Sequence, residues 1–180
     1  RFSTEYQGLD GKQYMEKAVY QDHQGLISLR WDAEAIDWLL YNIVGTPVIA
    51  EGNTPLYRWG SRVSVYTGLP TIIGWDWHQT QQRFKYRDEV NRRIGQVRHL
   101  FSSPSEEVAL QILQEHDVSY IYVGQLERLY YPKSGLAKFD QMTNGVLEVV
   151  YTNEEVTIYQ VNKQRNNLKV HAPENIQAGA

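Results

Sequence analysis

At 180 residues the chain is long enough to bury a core of its own, and 42% hydrophobic with 22% charged residues is the balance of a globular protein, not a disordered one. A net charge of −3 without a basic stripe argues against a nucleic-acid partner. The absence of Cys excludes disulfides, thiolate metal sites and Cys nucleophiles.

No apolar run reaches the roughly 20 residues of a membrane-spanning helix, and no signal-peptide pattern opens the sequence. The first residue is Arg, which suggests a fragment or a processed chain. Aromatic residues are 12% of the total, with 13 Tyr. Such side chains suit interfaces, carbohydrate faces and membrane-proximal surfaces, or simply an aromatic-rich core.

In chain order, residues 1–30 are expected to form an irregular lead-in, with a turn at Leu9-Asp10-Gly11 and one helical turn near 14–19. An α/β domain over 31–162 follows, and 163–180 is expected to be a polar tail. Asp32 is a candidate N-cap for a helix with Ala35, Ile36, Leu39, Leu40 and Ile43 at helical spacing. Gly45 and Pro47 end it. PVIAE reads as a buried strand that delivers Glu51 at its C-terminal end. Residues 62–67 form a short helix or strand, and 71–73 a second buried strand closed by Gly74. Residues 89–101 read as an amphipathic helix. Ser103, Pro104 and Glu106 supply a cap, a first helical position and a capping box for the next. VSYIYVG is the clearest strand. Two short helices follow over 125–131 and 136–142, and 146–161 is a hairpin around Thr152-Asn153-Glu154. Strand and helix alternate through the middle, so the expected architecture is α/β: a Rossmann-like three-layer sandwich with parallel central strands and a C-terminal antiparallel hairpin.

Residues 57–83, YRWGSRVSVYTGLPTIIGWDWHQTQQR, stand out. They hold three of the five Trp, three Arg and four Gly or Pro breakers, a mixture that suits a ligand-facing loop on a rigid scaffold. Ligands gather at the carboxyl ends of strands in open α/β sheets. Glu51, the stretch from Gly74 to His78, and the stretch from Gly124 to Arg128 are therefore the positions to watch. Glu51, Asp76 and His78 form either an acid/base or metal constellation or an ion-pair network with Arg58, Arg62 or Arg83. Trp59, Trp75 and Trp77 stack on sugar rings or anchor the core. Gly52 and Gly124 follow strands, yet neither a G-x-G-x-x-G nor a Walker pattern is present.

The motifs LDG-x-x-YM (9–15), AIDWL (35–39), G-x-PVI-x-E (45–51), RVSVYTGLPTIIGW with H-x-x-QQR (62–83) and YIYVGQLER-x-YY (120–131) resemble the C-terminal soluble part of the Chlor_Arch_YYY (DUF2298) membrane proteins. The resemblance runs from about residue 9 to about 161. It implies an extracytoplasmic domain of a polytopic membrane protein laid out like the GT-C glycosyltransferases, which use lipid-linked sugar donors. Carried over by residue, it marks Glu51, Arg62, Ser64, Tyr66, Gly68, Pro70, Gly74, Trp75, His78, Gln82 and Arg83. Gln79 departs from a Glu that follows the His in the family. The catalytic acid of GT-C enzymes lies in the membrane part, so the resemblance implies a domain that assists catalysis.

The expected substrate-binding set is Glu51, Arg62, Tyr66, Trp75, Trp77, His78, Gln82 and Arg83, with Arg62 and Arg83 as bidentate donors to a phosphate or carboxylate. No catalytic residue, metal or cofactor is assigned. The expected partners are the membrane-embedded part of the same protein and a lipid-linked sugar or glycan. The competing reading is a docking module without sugar binding.

Overall fold

The computed structural model describes residues 11–163. Of the turn expected at Leu9-Asp10-Gly11 and the tail expected over 163–180, all but Gly11 and Lys163 lie outside the described residues.

Within the segment expected to be irregular, a 3₁₀ turn (Gln13–Glu16) leads into an antiparallel hairpin of β1 (Val19–Gln21) and β2 (Leu26–Ser28). Alternation this short gives no readable period, but Met15 and Ile27 are fully buried and pack with Leu29, Ala33 and Ile36 of the next helix.

That helix, α1 (Leu29–Asn42), corrects the expected start. Ser28 is its N-cap residue, and Asp32 lies in the first turn, 1% exposed. Asp32 falls on the buried stripe with Ala35, Ile36 and Leu39, so its carboxylate points inward, where other groups satisfy it.

The sheet has the order β3-β4-β6-β5. β3 (Val48–Ala50) runs parallel to β4 (Val118–Val123), which pairs antiparallel with β6 (Thr157–Val161). The hairpin of β5 (Leu147–Thr152) and β6 thus contributes an inner strand as well as an edge. Strand period 2 divides the chain between two cores. Val48 and Ala50, Ile121 and Val123, and Tyr159 and Val161 face one side with α4 (Arg87–Ser102), α5 (Glu106–Glu115) and α7 (Lys133–Met142). Ile49, Tyr120 and Tyr122, and Ile158 face the other with α1 and α2 (Arg62–Thr67). The result is the expected α/β sandwich of three layers, with parallel pairing confined to β3 and β4.

Two local expectations are revised. Residues 71–73 make no strand. A single parallel bridge joins Thr71 to Ile49, while Ile72 and Ile73 are buried among α4 and its neighbours. α5 is capped by Ser105, whose Oγ accepts from the Val108 N–H at 3.3 Å, and Ser103 Oγ accepts from the Ser105 N–H one step earlier. Each Ser satisfies one amide, and local hydroxyl competition of this kind moves a helix start by a residue or two. α6 (Gln125–Tyr130) follows β4 directly.

α7 sits unusually close to the end of α4. A Cβ on Gly135 would lie 2.3 Å from the Phe101 carbonyl oxygen. Buried Lys138 donates to the carbonyls of Leu100 and Gly135 and so satisfies the C-terminal end of α4.

Candidate functional site

Because β3 and β4 run parallel, their carboxyl ends share one edge, and the charged residues that follow them meet there. Arg62, 2% exposed, lies at the centre of this meeting. Its Nη1 and Nη2 donate to Glu127 at 3.2 and 2.8 Å, and its Nε donates to Asp32 at 2.9 Å. Asp32 also accepts from Trp59 Nε1 at 2.9 Å and from the Tyr122 hydroxyl at 2.6 Å. Glu127 takes the backbone N–H groups of Gly52 and Gly124 as well.

The two glycines are required by proximity. A Cβ on Gly124 would meet Arg62 Nη2 at 2.9 Å, and one on Gly52 would meet the Tyr131 ring at 2.8 Å. Backbone amides at strand ends that resemble a phosphate cradle are therefore occupied by the protein's own Glu127. The bidentate guanidinium–carboxylate contact expected of Arg62 exists, but both halves of it belong to the protein.

Burial raises the cost of each charge here, and the partners decide which charges survive. For Glu127, burial pushes the pKa up, but the Arg62 guanidinium and the amide hydrogen bonds more than offset this and hold it below the usual range. Glu51 is less well supplied. It accepts the N–H groups of Val63 and Ser64 at 3.1 and 3.2 Å, and Arg62 Nη1 stands 3.9 Å away. Burial dominates, and its pKa is raised to about 7. Tyr122 is pushed well above its ordinary value by burial and by Asp32.

Above this cluster the chain opens a cleft of about 300 Å³. One wall is the loop after β3, from Asn53 to Arg58 with Gly60 and Ser61; the other is Gly74, Trp75, Asp76, Trp77 and His78 at the start of α3 (Asp76–Gln82). Tyr57 and Ser61 hold φ of 60° and 59°, a left-handed backbone that costs a non-Gly residue about 1 kcal/mol or more and persists where surrounding contacts enforce it. Trp59, gripped by Asp32 and packed against Tyr20 and Tyr66, supplies that enforcement from below. Trp75 donates Nε1–H to the Gly60 carbonyl at 3.3 Å, tying the two walls together, and its ring lies 5.5 Å from that of His78. Even so, Trp75 is 54% exposed, Trp77 43% and Tyr57 83%.

Of the residues named from sequence, the structure brings Trp75, Trp77 and His78 together in the cleft wall. Glu51 and Arg62 lie in the buried cluster beneath. Tyr66 turns toward Trp59, and its hydroxyl shares a 2.6 Å hydrogen bond with that of Tyr14. Gln82 and Arg83 are exposed at the end of α3, outside the cleft lining. Glu51, Asp76 and His78 do not converge, and no group of three His, Asp or Glu among the described residues is placed to hold a metal. Sequence reading missed Asn53 as a cleft residue, left Tyr57 and Arg58 out of the binding set although both lie in the 57–83 stretch, and missed Asp32 and Glu127 as Arg62 partners. The loop after β3 and the stretch holding Glu127 were signalled by their positions at strand ends; nothing local marked Asp32 or Glu127 as a partner of Arg62.

No family model matches this chain, so the Chlor_Arch_YYY resemblance stands on the quoted motifs alone, and no curated protein matches. Among solved structures, the C-terminal globular domain of an oligosaccharyltransferase from Archaeoglobus fulgidus aligns with 72% of this chain and 95% of its own length, at 15% identity and a TM-score of 0.45. No helix of the described residues is long and apolar enough to cross a membrane.

Proposed function

We propose that the cleft recognises a sugar, and that the chain is the extracytoplasmic domain of a GT-C-like membrane glycosyltransferase that presents this site to a lipid-linked sugar or to the acceptor. The observation that carries the reading is the pairing of a 300 Å³ concavity with two half-exposed indoles, Trp75 and Trp77, on one of its walls. Indole faces match the apolar C–H faces of a pyranose, and a cleft rimmed by aromatics with a few polar groups is the form small-ligand sites take. A docking module would present a flat apolar patch instead. The quoted motifs support the membrane parent and its membrane-embedded part as partner.

The assigned role is recognition, not bond-making. Glu51, whose pKa burial raises to about 7, is buried and takes no part in lining the cleft. The test is tryptophan fluorescence titration with oligosaccharides and polyprenyl-phosphate sugars, repeated on Trp75→Ala and Trp77→Ala. A saturable shift that weakens at least tenfold in Trp75→Ala is the expected result. No shift with any glycan, or the same shift in both variants, would refute it.

A further inference from the structure

The cleft contains a cation, Arg58, that the expected binding set left out. Arg58 lines the wall formed by the loop after β3, with its side chain 24% exposed. Its Nε is buried and makes no hydrogen bond. The nearest acceptor is Asp22 Oδ2 at 3.9 Å, too far for a direct bond and near enough for attraction. Asp22 belongs to the turn between β1 and β2, its side chain has no exposure, and its Oδ2 is likewise buried without a hydrogen-bond partner. Its Oδ1 is occupied by the Tyr130 hydroxyl at 2.6 Å and the Gln24 N–H at 3.1 Å. Asp22 is thus fixed from two directions and holds the Nε edge of Arg58 without consuming its fork of donors.

A half-buried guanidinium with this many unused donors has already lost much of its hydration, so an oxyanion that reached it would gain a strong, directional contact. Two other titratable residues on the opposite wall act in opposite senses, His78 toward an anion and Asp76 against it. His78 is a further potential donor, its ring tilted at 43° against that of Trp75. Asp76 is the local negative charge, and its Oδ1 accepts the Trp77 N–H at 2.7 Å at the start of α3, where a carboxylate is stabilised by the helix end.

We infer that Arg58, held by Asp22, is an anion subsite of the cleft, and that the ligand is a sugar bearing a phosphate or carboxylate, not a neutral glycan. The inference rests on reading the cleft as a sugar site and names the chemistry that site selects. Phosphate has two sources, a free sugar phosphate or the headgroup of a lipid carrier, and the test separates them.

The experiment is a set of fluorescence and NMR titrations of the native protein, Arg58→Gln, Arg58→Lys and Asp22→Asn, with folding checked by circular dichroism. The probes are a neutral disaccharide, glucuronate, a sugar 1-phosphate and a short-chain polyprenyl-phosphate sugar. Native protein is expected to bind the anionic probes at least tenfold more tightly than the neutral one. Arg58→Gln should erase that preference, Arg58→Lys should keep part of it, and Asp22→Asn should weaken it several-fold. Tighter binding of the polyprenyl form than of the sugar 1-phosphate assigns the anion to a lipid carrier, and equal binding assigns it to a free sugar phosphate. Equal affinity for neutral and anionic sugars, unchanged by Arg58→Gln, overturns the subsite and leaves the sugar cleft standing. Failure of every probe to bind overturns both.

Discussion

Replacing Arg62 with Met removes the one cation from a buried group of three carboxylates. Asp32 loses its 2.9 Å contact and Glu127 loses two, at 3.2 and 2.8 Å, while Glu51 loses the charge 3.9 Å away. Trp59 and Tyr122 still bind Asp32, and the amides of Gly52 and Gly124 still bind Glu127, so the loss is less than full exposure of three charges. Breaking a buried pair from one side costs about 3–5 kcal/mol, and a value of about 4 kcal/mol at pH 7 is expected here. The deficit should shrink with acid. Without Arg62 only the backbone amide hydrogen bonds oppose the burial that raises Glu127 and Glu51, so their folded pKa values move up, above the unfolded ones. The variant then gains stability as pH falls through those raised values toward 5. Urea unfolding followed by circular dichroism at pH 5 and 7 measures both quantities. Glu127→Gln added to Arg62→Met should recover part of the loss at pH 7, since it removes a stranded charge. A cost below about 1 kcal/mol, or a cost independent of pH, would refute the claim that Arg62 neutralises this cluster.

Two further perturbations follow from the same geometry. The Glu51 pKa is raised from 4.5 to about 7 by burial, so the native protein should lose about 3 kcal/mol as pH rises from about 4.5 through 7. Glu51→Gln should flatten that slope in urea midpoints, and an identical slope in both proteins would contradict the assignment. Gly135→Ala sets a methyl group 2.3 Å from the Phe101 carbonyl and 2.6 Å from that of Ser102, forcing α7 away from α4. A loss of about 3 kcal/mol, or ~10 °C in Tm, is expected by calorimetry, and a shift within ~2 °C would show that α7 docks with more freedom than this packing allows.

Much of the sandwich was legible because period and punctuation agree. VSYIYV alternates between two buried faces, and TNEE supplies the turn between β5 and β6. What escaped was set by contacts distant in sequence. Asp32 has the residue type of a cap, yet Arg62, Trp59 and Tyr122 draw it inward from 30, 27 and 90 positions away. The hairpin of β1 and β2 has strands of three residues, too short for alternation to register. At the cleft, the Trp75–His78 wall was readable as aromatics between breakers. The opposite wall was readable as a strand-end loop but the roles of its arginines were not, because that of Arg58 depends on Asp22, 36 positions earlier, and the inward turn of Arg62 depends on Glu127, 65 positions later. Composition marked both arginines alike; packing gave one to the core and the other to the cleft.

The central claim is that the cleft beneath Trp75 and Trp77 binds sugar, and the most direct measurement is an indole N–H NMR titration of the protein with glycans and polyprenyl-phosphate sugars. The expected result is saturable movement of the Trp75 and Trp77 signals, with those of Trp31, Trp38 and Trp59 unmoved. Absence of movement at Trp75 and Trp77 with every glycan, or equal movement of all five, would contradict it.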